Sequence, residues 1–335
     1  MPIDLSGQPR LTLGTWPTPL DECPRLSEAL GGPRILVKRD DVNGLGVGGN
    51  KLRKAEFLLA QARNEGADTI ITFGAVQTNH GRQTAAACAR LGLRCELVLT
   101  KSVPMSGEAY ERSGNMALDN LYGAHVHLCD TPEETADVYN QVVATAEAEG
   151  RKTATIPVGG SNAVGVLGYV AAAQELHGQL SEIDRIVVAV GSAGTAAGLA
   201  LGIHLLGWPV LLDAQCVSHT AEESRADIRR LVDETGQLLG VGTGDLTHLR
   251  VSDGSVGPGY GVPTDEMWEA LRLFARTEGI TLDPVYSGKA AAGLVAGVRS
   301  GAIGPDETVA FMHTGGLPGL FAYAPELVRS SENLR

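Results

Sequence analysis

Short apolar runs recur along this chain, each closed by a glycine-rich or polar turn and followed by a segment of helical period. Arg34–Asp41, Asp68–Gly74, Cys95–Leu99, His125–Cys129, Thr153–Pro157, Arg185–Val190, Pro209–Val217 and Thr308–Met312 read as strands. Between them lie helical patterns from Gly49 to about Glu65, to about Leu91, near Gly107–Leu121, from the Thr131 cap to Gly150, from Asn162 to about Gln179, after Gly198, over 220–237 and 264–278, and after Ser287. Successive strands separated by helices pair in parallel, with helices on both faces of the sheet. The expected class is therefore α/β. A stretch punctuated by Pro and Gly over 1–33, a loop-rich segment over 240–263 and a frayed polar tail over 329–335 complete the reading.

A chain of 335 residues has room for two domains and a sizeable core. Its formal charge of −12 argues against non-specific nucleic-acid binding without excluding a local basic site. Cys23, Cys88, Cys95, Cys129 and Cys216 are scattered, with no C-x-x-C and no zinc spacing, and read as reduced, mostly buried thiols of a cytoplasmic protein. No metal-ligand motif is present; His125 and His127 alternate on one strand without partners. The N-terminus has no apolar signal region, and no run approaches the ~20 apolar residues of a membrane span, so neither secretion nor a membrane is expected.

Chemistry concentrates at turns that follow strands, where ligands bind in parallel sheets. The glycine-rich loop Asn43–Gly49 delivers Lys51 to the first turn of a helix. Helix N-termini and burial both disfavour a positive charge, so an amine there has a lowered pKa and suits Schiff-base chemistry. Lys54, three residues on, shares its face and could hold an anion; both lysines are equally readable as solvated surface charges. Gly191–Gly198 offers Ser192, Thr195 and free N–H groups over a helix start, as a phosphate cradle or simply a tight turn. Gln77-Thr78-Asn79-His80 opens another helix, and Thr78 and Asn79 serve equally as caps. Tyr260, Tyr286, Ser287 and Thr314 each adjoin a Gly or Pro turn.

Taken together, Lys38–Asp41, Gly48–Lys54, Gly74–His80, Arg82–Ala85, Ile156–Asn162, Gly191–Thr195, Gly257–Pro263, Leu282–Lys289 and His313–Gly316 resemble the D-cysteine desulfhydrase and 1-aminocyclopropane-1-carboxylate deaminase family of fold-type II pyridoxal-phosphate enzymes. The resemblance spans nearly the whole chain. It implies two three-layer α/β/α domains with mostly parallel sheets, a small one over 50–162 and a large one from 1–49 plus 163–335, with pyridoxal 5'-phosphate between them. It implies that Lys51 carries the cofactor as a Schiff base, that Asn79 bonds the ring 3-hydroxyl, and that Lys54 with Ser192, Ala193, Gly194 and Thr195 holds the phosphate. Ser287 and Thr314 would lie by the pyridine nitrogen. Thr78, Asn79, His80, Tyr260 and Tyr286 would surround a small amino-acid substrate, with Lys51, Thr78, Tyr260 and Tyr286 as catalytic groups. A homodimer is implied as well.

The deaminases of that family have glutamate where Ser287 stands and leucine where Thr314 stands, so both positions side with the desulfhydrases. Thr78 departs from the family serine. The implied reaction is elimination from D-cysteine to pyruvate, hydrogen sulfide and ammonia. The alternatives are L-cysteate sulfo-lyase, 1-aminocyclopropane-1-carboxylate deaminase and, outside catalysis, a small-molecule-binding α/β protein.

Overall fold

The computed structural model describes residues 2–332. Ten strands occur among them: β1 (Leu20–Glu22), β2 (Arg34–Arg39), β3 (Thr69–Ala75), β4 (Arg94–Thr100), β5 (His125–Cys129), β6 (Thr153–Ile156), β7 (Arg185–Val190), β8 (Leu211–Cys216), β9 (Leu249–Ser252) and β10 (Thr308–His313). They form a six-stranded sheet in the order β1-β2-β10-β7-β8-β9 and a four-stranded sheet in the order β5-β4-β3-β6. Every pairing is parallel except β1 with β2. The α/β class with mostly parallel sheets is as the sequence implied.

Strand β7 is buried along its whole length because helices cover both faces of its sheet. Side chains alternate between those faces with the period of two that a strand imposes. Val187 and Ala189 join Phe274, Leu294 and Phe311 on one side, while Ile186, Val188 and Val190 join Leu199, Leu201 and Met312 on the other. Parallel register then brings strand ends into line: β10 runs beside β2 from Thr308 opposite Arg34 to His313 opposite Arg39. The loops after both strands therefore start side by side.

Three details differ from expectation. Strands β1 and β9 and the helix Pro24–Leu30 lie in stretches that read as irregular; three or four residues at a sheet edge are too few to display a period. The helix expected over Gly107–Leu121 is two, Glu108–Arg112 and Gly114–Leu121, broken at Ser113. Ser113 is extended, with φ −100 and ψ −169, and Gly114 has φ +60, a backbone that suits glycine; a Cβ there would also stand 2.6 Å from the Pro318 carbonyl oxygen. Finally, the chain is helical over Ala324–Glu332, correcting the expected fraying from 329 onward; residues 333–335 lie outside the described residues. The five cysteines are free and buried. No described helix is long and apolar enough to cross a membrane.

Candidate active site

The turns that follow β2, β3, β6, β7 and β10 supply one cleft. Asn50, Lys51, Asn79, Gly191, Ser192, Ala193, Thr195, Tyr286 and Thr314 line it. Sequence elements far apart meet there because all five strands deliver their carboxyl ends to the same side.

Lys51 and Lys54 occupy the first turn of the helix Lys51–Asn64. Lys54 is buried, and its Nζ donates to the Gly159 carbonyl and to Ser161 Oγ, both at 3.1 Å. Desolvation pushes the Lys51 ammonium down to about 8. Burial, then the neighbouring Lys51 charge, holds Lys54 well below the ordinary lysine value. Among the described residues no carboxylate offsets either charge. Two desolvated lysine amines without a counter-ion make a site that favours an anion.

The wall opposite is built to receive one. The helix Gly194–Leu206 begins at Ala193, a non-glycine residue with φ 62 and ψ −28. That backbone is uncommon for alanine and turns the helix start toward the lysines. Ser192 Oγ lies 2.8 Å from Ser161 Oγ, and Thr195 Oγ1 accepts from Asn50 Nδ2 at 3.0 Å. Space is kept open by missing side chains. A Cβ on Gly194 would fall 2.5 Å from Ser161 Oγ and 2.8 Å from Lys54 Nζ; one on Gly159 would fall 2.2 Å from Ser192 Oγ. Hydroxyls, a helix N-terminus and lysine ammonium groups around a glycine-walled hollow suit a phosphate.

Thr78 caps the helix Asn79–Leu91 by accepting from Gly81 N–H at 3.2 Å, so the capping alternative is realised, with the hydroxyl proton left over. Asn79 lines the cleft, and its Oδ1 accepts from Asn115 Nδ2 at 3.0 Å. The same Nδ2 donates to the Gln77 carbonyl. A carbonyl only accepts, so the Asn115 atom is the amide nitrogen and the Asn79 atom facing it is oxygen. The Asn79 amide nitrogen is thereby left to face another partner. His80 is buried, with Nε2 2.8 Å from Thr72 Oγ1. Burial, then the charges of Lys51 and Lys54, holds its pKa well below the ordinary histidine value, so the ring is neutral.

Tyr260 and Tyr286 meet hydroxyl to hydroxyl at 2.5 Å, with rings edge to face. Burial raises the pKa of both, and the Tyr260 hydroxyl raises Tyr286 further; the pair is protonated and can donate. Tyr286 reaches the cleft; a Cβ on Gly191 would touch its ring at 3.1 Å. Thr314 also lines the cleft, and its carbonyl accepts from Asn50 N–H at 3.0 Å. Ser287 is placed otherwise than expected. It is fully buried, donates to Asp283 Oδ1 at 2.6 Å and accepts from Asp283 N–H, and it is not part of the cleft wall. The Asp283 carboxylate also accepts from the N–H groups of Val285, Tyr286 and Ser287, which fixes the turn that presents Tyr286.

Asn50, Ser161 and Asn115 belong to the site and were not singled out from sequence. Asn50 and Ser161 sit in segments already marked by glycine and strand ends. Asn115 carries no such signal.

The comparisons agree with this geometry. A profile of the pyridoxal-phosphate dependent enzyme family matches residues 11–315. The D-cysteine desulfhydrases of Salmonella newport (strain SL254) and Salmonella typhi are each 46% identical over 333 residues, covering 98% of this chain and 100% of the relative. A crystal structure described as an ACC deaminase homologue superposes with TM-score 0.88 at 39% identity, over 97% of both chains. Threonine deaminase isoform 2 from Solanum lycopersicum shares the fold, with TM-score 0.67 at 17% identity over 94% of this chain and 83% of its own. With a family match across most of its length and near-full-length relatives well above any chance identity, this chain belongs to the pyridoxal-phosphate dependent enzymes of fold type II.

Proposed function

We propose that the chain eliminates hydrogen sulfide from D-cysteine, leaving pyruvate and ammonia. The observation that carries this reading is the meeting, in one cleft, of Lys51, whose pKa is lowered, and Tyr286, whose hydroxyl is hydrogen-bonded to that of Tyr260 behind it, in a chain 46% identical end to end to D-cysteine desulfhydrases. The cleft fits pyridoxal phosphate: Lys51 and Lys54 have no carboxylate counter-ion among the described residues, and Gly159 and Gly194 leave a hollow that a side chain would fill. Lys51 would bond the aldehyde covalently. Lys54 with Ser192, Ala193, Gly194 and Thr195 would hold the phosphate, Asn79 would donate its amide to the 3-hydroxyl, and Thr314 would sit by the ring nitrogen. A neutral hydroxyl there would leave that nitrogen without a partner to hold a proton on it, which would favour elimination. Ser287 acts at one remove, through the Asp283 turn that carries Tyr286.

When bound, the cofactor supplies the electron sink for a carbanion at Cα. The chain's residues move the protons. Lys51 Nζ would take the Cα proton; burial, which pushes its ammonium down to about 8 in the chain itself, favours the neutral amine that this needs. The Cβ–S bond breaks with its electron pair on sulfur, and the Tyr260–Tyr286 pair gives the proton that turns the departing hydrosulfide into neutral hydrogen sulfide. Thr78 and neutral His80 would flank the substrate from behind Asn79; the Thr78 methyl itself packs toward Gly74 and Gly81. Water then converts the released enamine to pyruvate and ammonia.

Assay of products over D-cysteine, L-cysteine, β-chloro-D-alanine and cysteate tests the proposal. Sulfide and pyruvate from D-cysteine are expected; sulfite from cysteate with no sulfide from D-cysteine would replace it. A second reading, opening of 1-aminocyclopropane-1-carboxylate to 2-oxobutyrate and ammonia, is favoured by the likeness to the deaminase homologue, and 2-oxobutyrate in the same assay identifies it.

The domain division is proposed with the function. Strands β3 to β6 all lie within 50–162 and form their own sheet, which supports a small domain there against a large one from 1–49 plus 163–335. A cytoplasmic homodimer completes the proposal. Exposed Val42, Val47 and Leu317 share one surface hollow, as a subunit contact would require; sedimentation equilibrium checks the dimer.

A further inference from the structure

Lys289 is fully buried and forms no ion pair among the described residues. Burial pushes its ammonium down to about 8. It also lies in the first turn of the helix Ser287–Arg299, whose positive end adds a further cost to a cation. Buried lysines are ordinarily paired with a carboxylate. This one instead holds two backbone carbonyls, those of Val256 at 2.6 Å and Gly259 at 2.7 Å.

Those contacts have a specific geometric consequence. Gly259 immediately precedes Tyr260. Lys289 follows Tyr286 by three residues, about one helical turn. The ammonium therefore ties the segment that carries one phenol to the helix that carries the other, and the two hydroxyls meet at 2.5 Å. The segment itself is irregular, with φ +66 at Gly257, +152 at Gly259 and +72 at Gly261. On its far side Tyr323 Oη donates to the Gly261 carbonyl at 2.7 Å, so Tyr260 is braced from both directions.

We propose that Lys289 is a positioning residue for proton delivery: it clamps the Val256 and Gly259 carbonyls so that Tyr260 stays in register with Tyr286. The inference rests on the reading above, in which that phenol pair protonates the departing sulfur. Lys289 touches neither substrate nor the phosphate cradle, so its loss acts on the phenols and not on cofactor capture.

The test compares Lys289→Met, which keeps the apolar stem and removes every donor, with Lys289→Gln, which keeps an N–H donor. Both are to hold the lysine-bound cofactor, read from its visible absorbance. Lys289→Met is to lower kcat for D-cysteine roughly 10–100-fold with KM little changed, the scale of a misplacement near 1 Å. It is also to shift the ultraviolet titration of the phenol pair, assigned with Tyr286→Phe, while Lys289→Gln recovers part of both losses. Wild-type kcat and titration in Lys289→Met overturn the proposal. So does a loss of stability and activity in both variants with the phenol titration unmoved, since that marks a merely structural lysine. If Lys289→Met does not fold, Lys289→Gln carries the test: a shifted titration supports the clamp and a wild-type titration overturns it. If the wild-type enzyme does not act on D-cysteine, the function reading fails, and the phenol titration still decides the role of Lys289.

Discussion

Lys51 shows how one residue's chemistry is set by what surrounds it. Desolvation pushes its ammonium down to about 8, a hydrogen bond with Lys54 opposes that only in part, and no carboxylate among the described residues holds the proton. A neutral amine is the form that attacks an aldehyde. Cofactor-free protein is thus expected to take up pyridoxal phosphate faster as pH rises, with the rate levelling above about 8; stopped-flow absorbance checks it, and a rate still climbing steeply past pH 10 would contradict it. Asp119 is the opposite case. It is fully buried, neither carboxylate oxygen has a hydrogen-bond partner among the described residues, and burial, only partly countered by Arg82, raises it to about 7. A carboxyl whose folded pKa is raised contributes stability that is full below its unfolded value and lost as pH rises through the folded one. Asp119→Asn is therefore expected to stabilise the protein by roughly 1–3 kcal/mol at pH 8, the cost of an unpaired buried group, with the gain fading toward pH 5. Thermal melts across that range measure it. Lys51 and Lys54 were legible in sequence because glycines and a helix start flag them locally. Asn115 was not, since its role exists only through contacts with Gln77 and Asn79 across a fold the sequence does not display.

The lysine helix is the element on which the site depends, and it is anchored on its far side. Arg53 makes two bonds to Asp40, two to Glu175 and one to Thr18, and lies 4.1 Å over the Trp16 ring. Burial works against the Asp40 carboxylate, yet Arg53 holds its pKa below the ordinary value. One turn on, Glu56 gathers the N-terminal segment through Leu13 N–H, Gly14 N–H, Trp16 Nε1 and Arg10. Arg53→Ala strips the buried Asp40 of its counter-ion and is expected to cost about 3–5 kcal/mol, which urea unfolding measures; a change under ~1 kcal/mol would show that the network does not hold the helix. Element boundaries were largely readable, because the β7 run and the Thr131, Asn162 and Thr264 caps act locally. The break at Ser113 was not, because one glycine in a helical pattern does not show that its φ is positive, and the Pro318 carbonyl that bars a side chain there is two hundred residues away in sequence.

At the scale of the whole molecule, two mostly parallel sheets aim their strand ends at one cleft, and the candidate site is the product of that arrangement. Alternation of strand and helix made the parallel class legible. Strand order was not, because β2 and β10 pair although nearly the whole chain separates them. The roles proposed for neutral His80, the Lys54 cradle and the tyrosine pair all depend on Lys51 as the proposed point of covalent attachment. Reduction of the loaded enzyme with borohydride, followed by peptide mass spectrometry, tests this directly. A pyridoxyl-phosphate label on Lys51 and on no other lysine is predicted; a label on Lys54 or Lys289, or none at all, would contradict it.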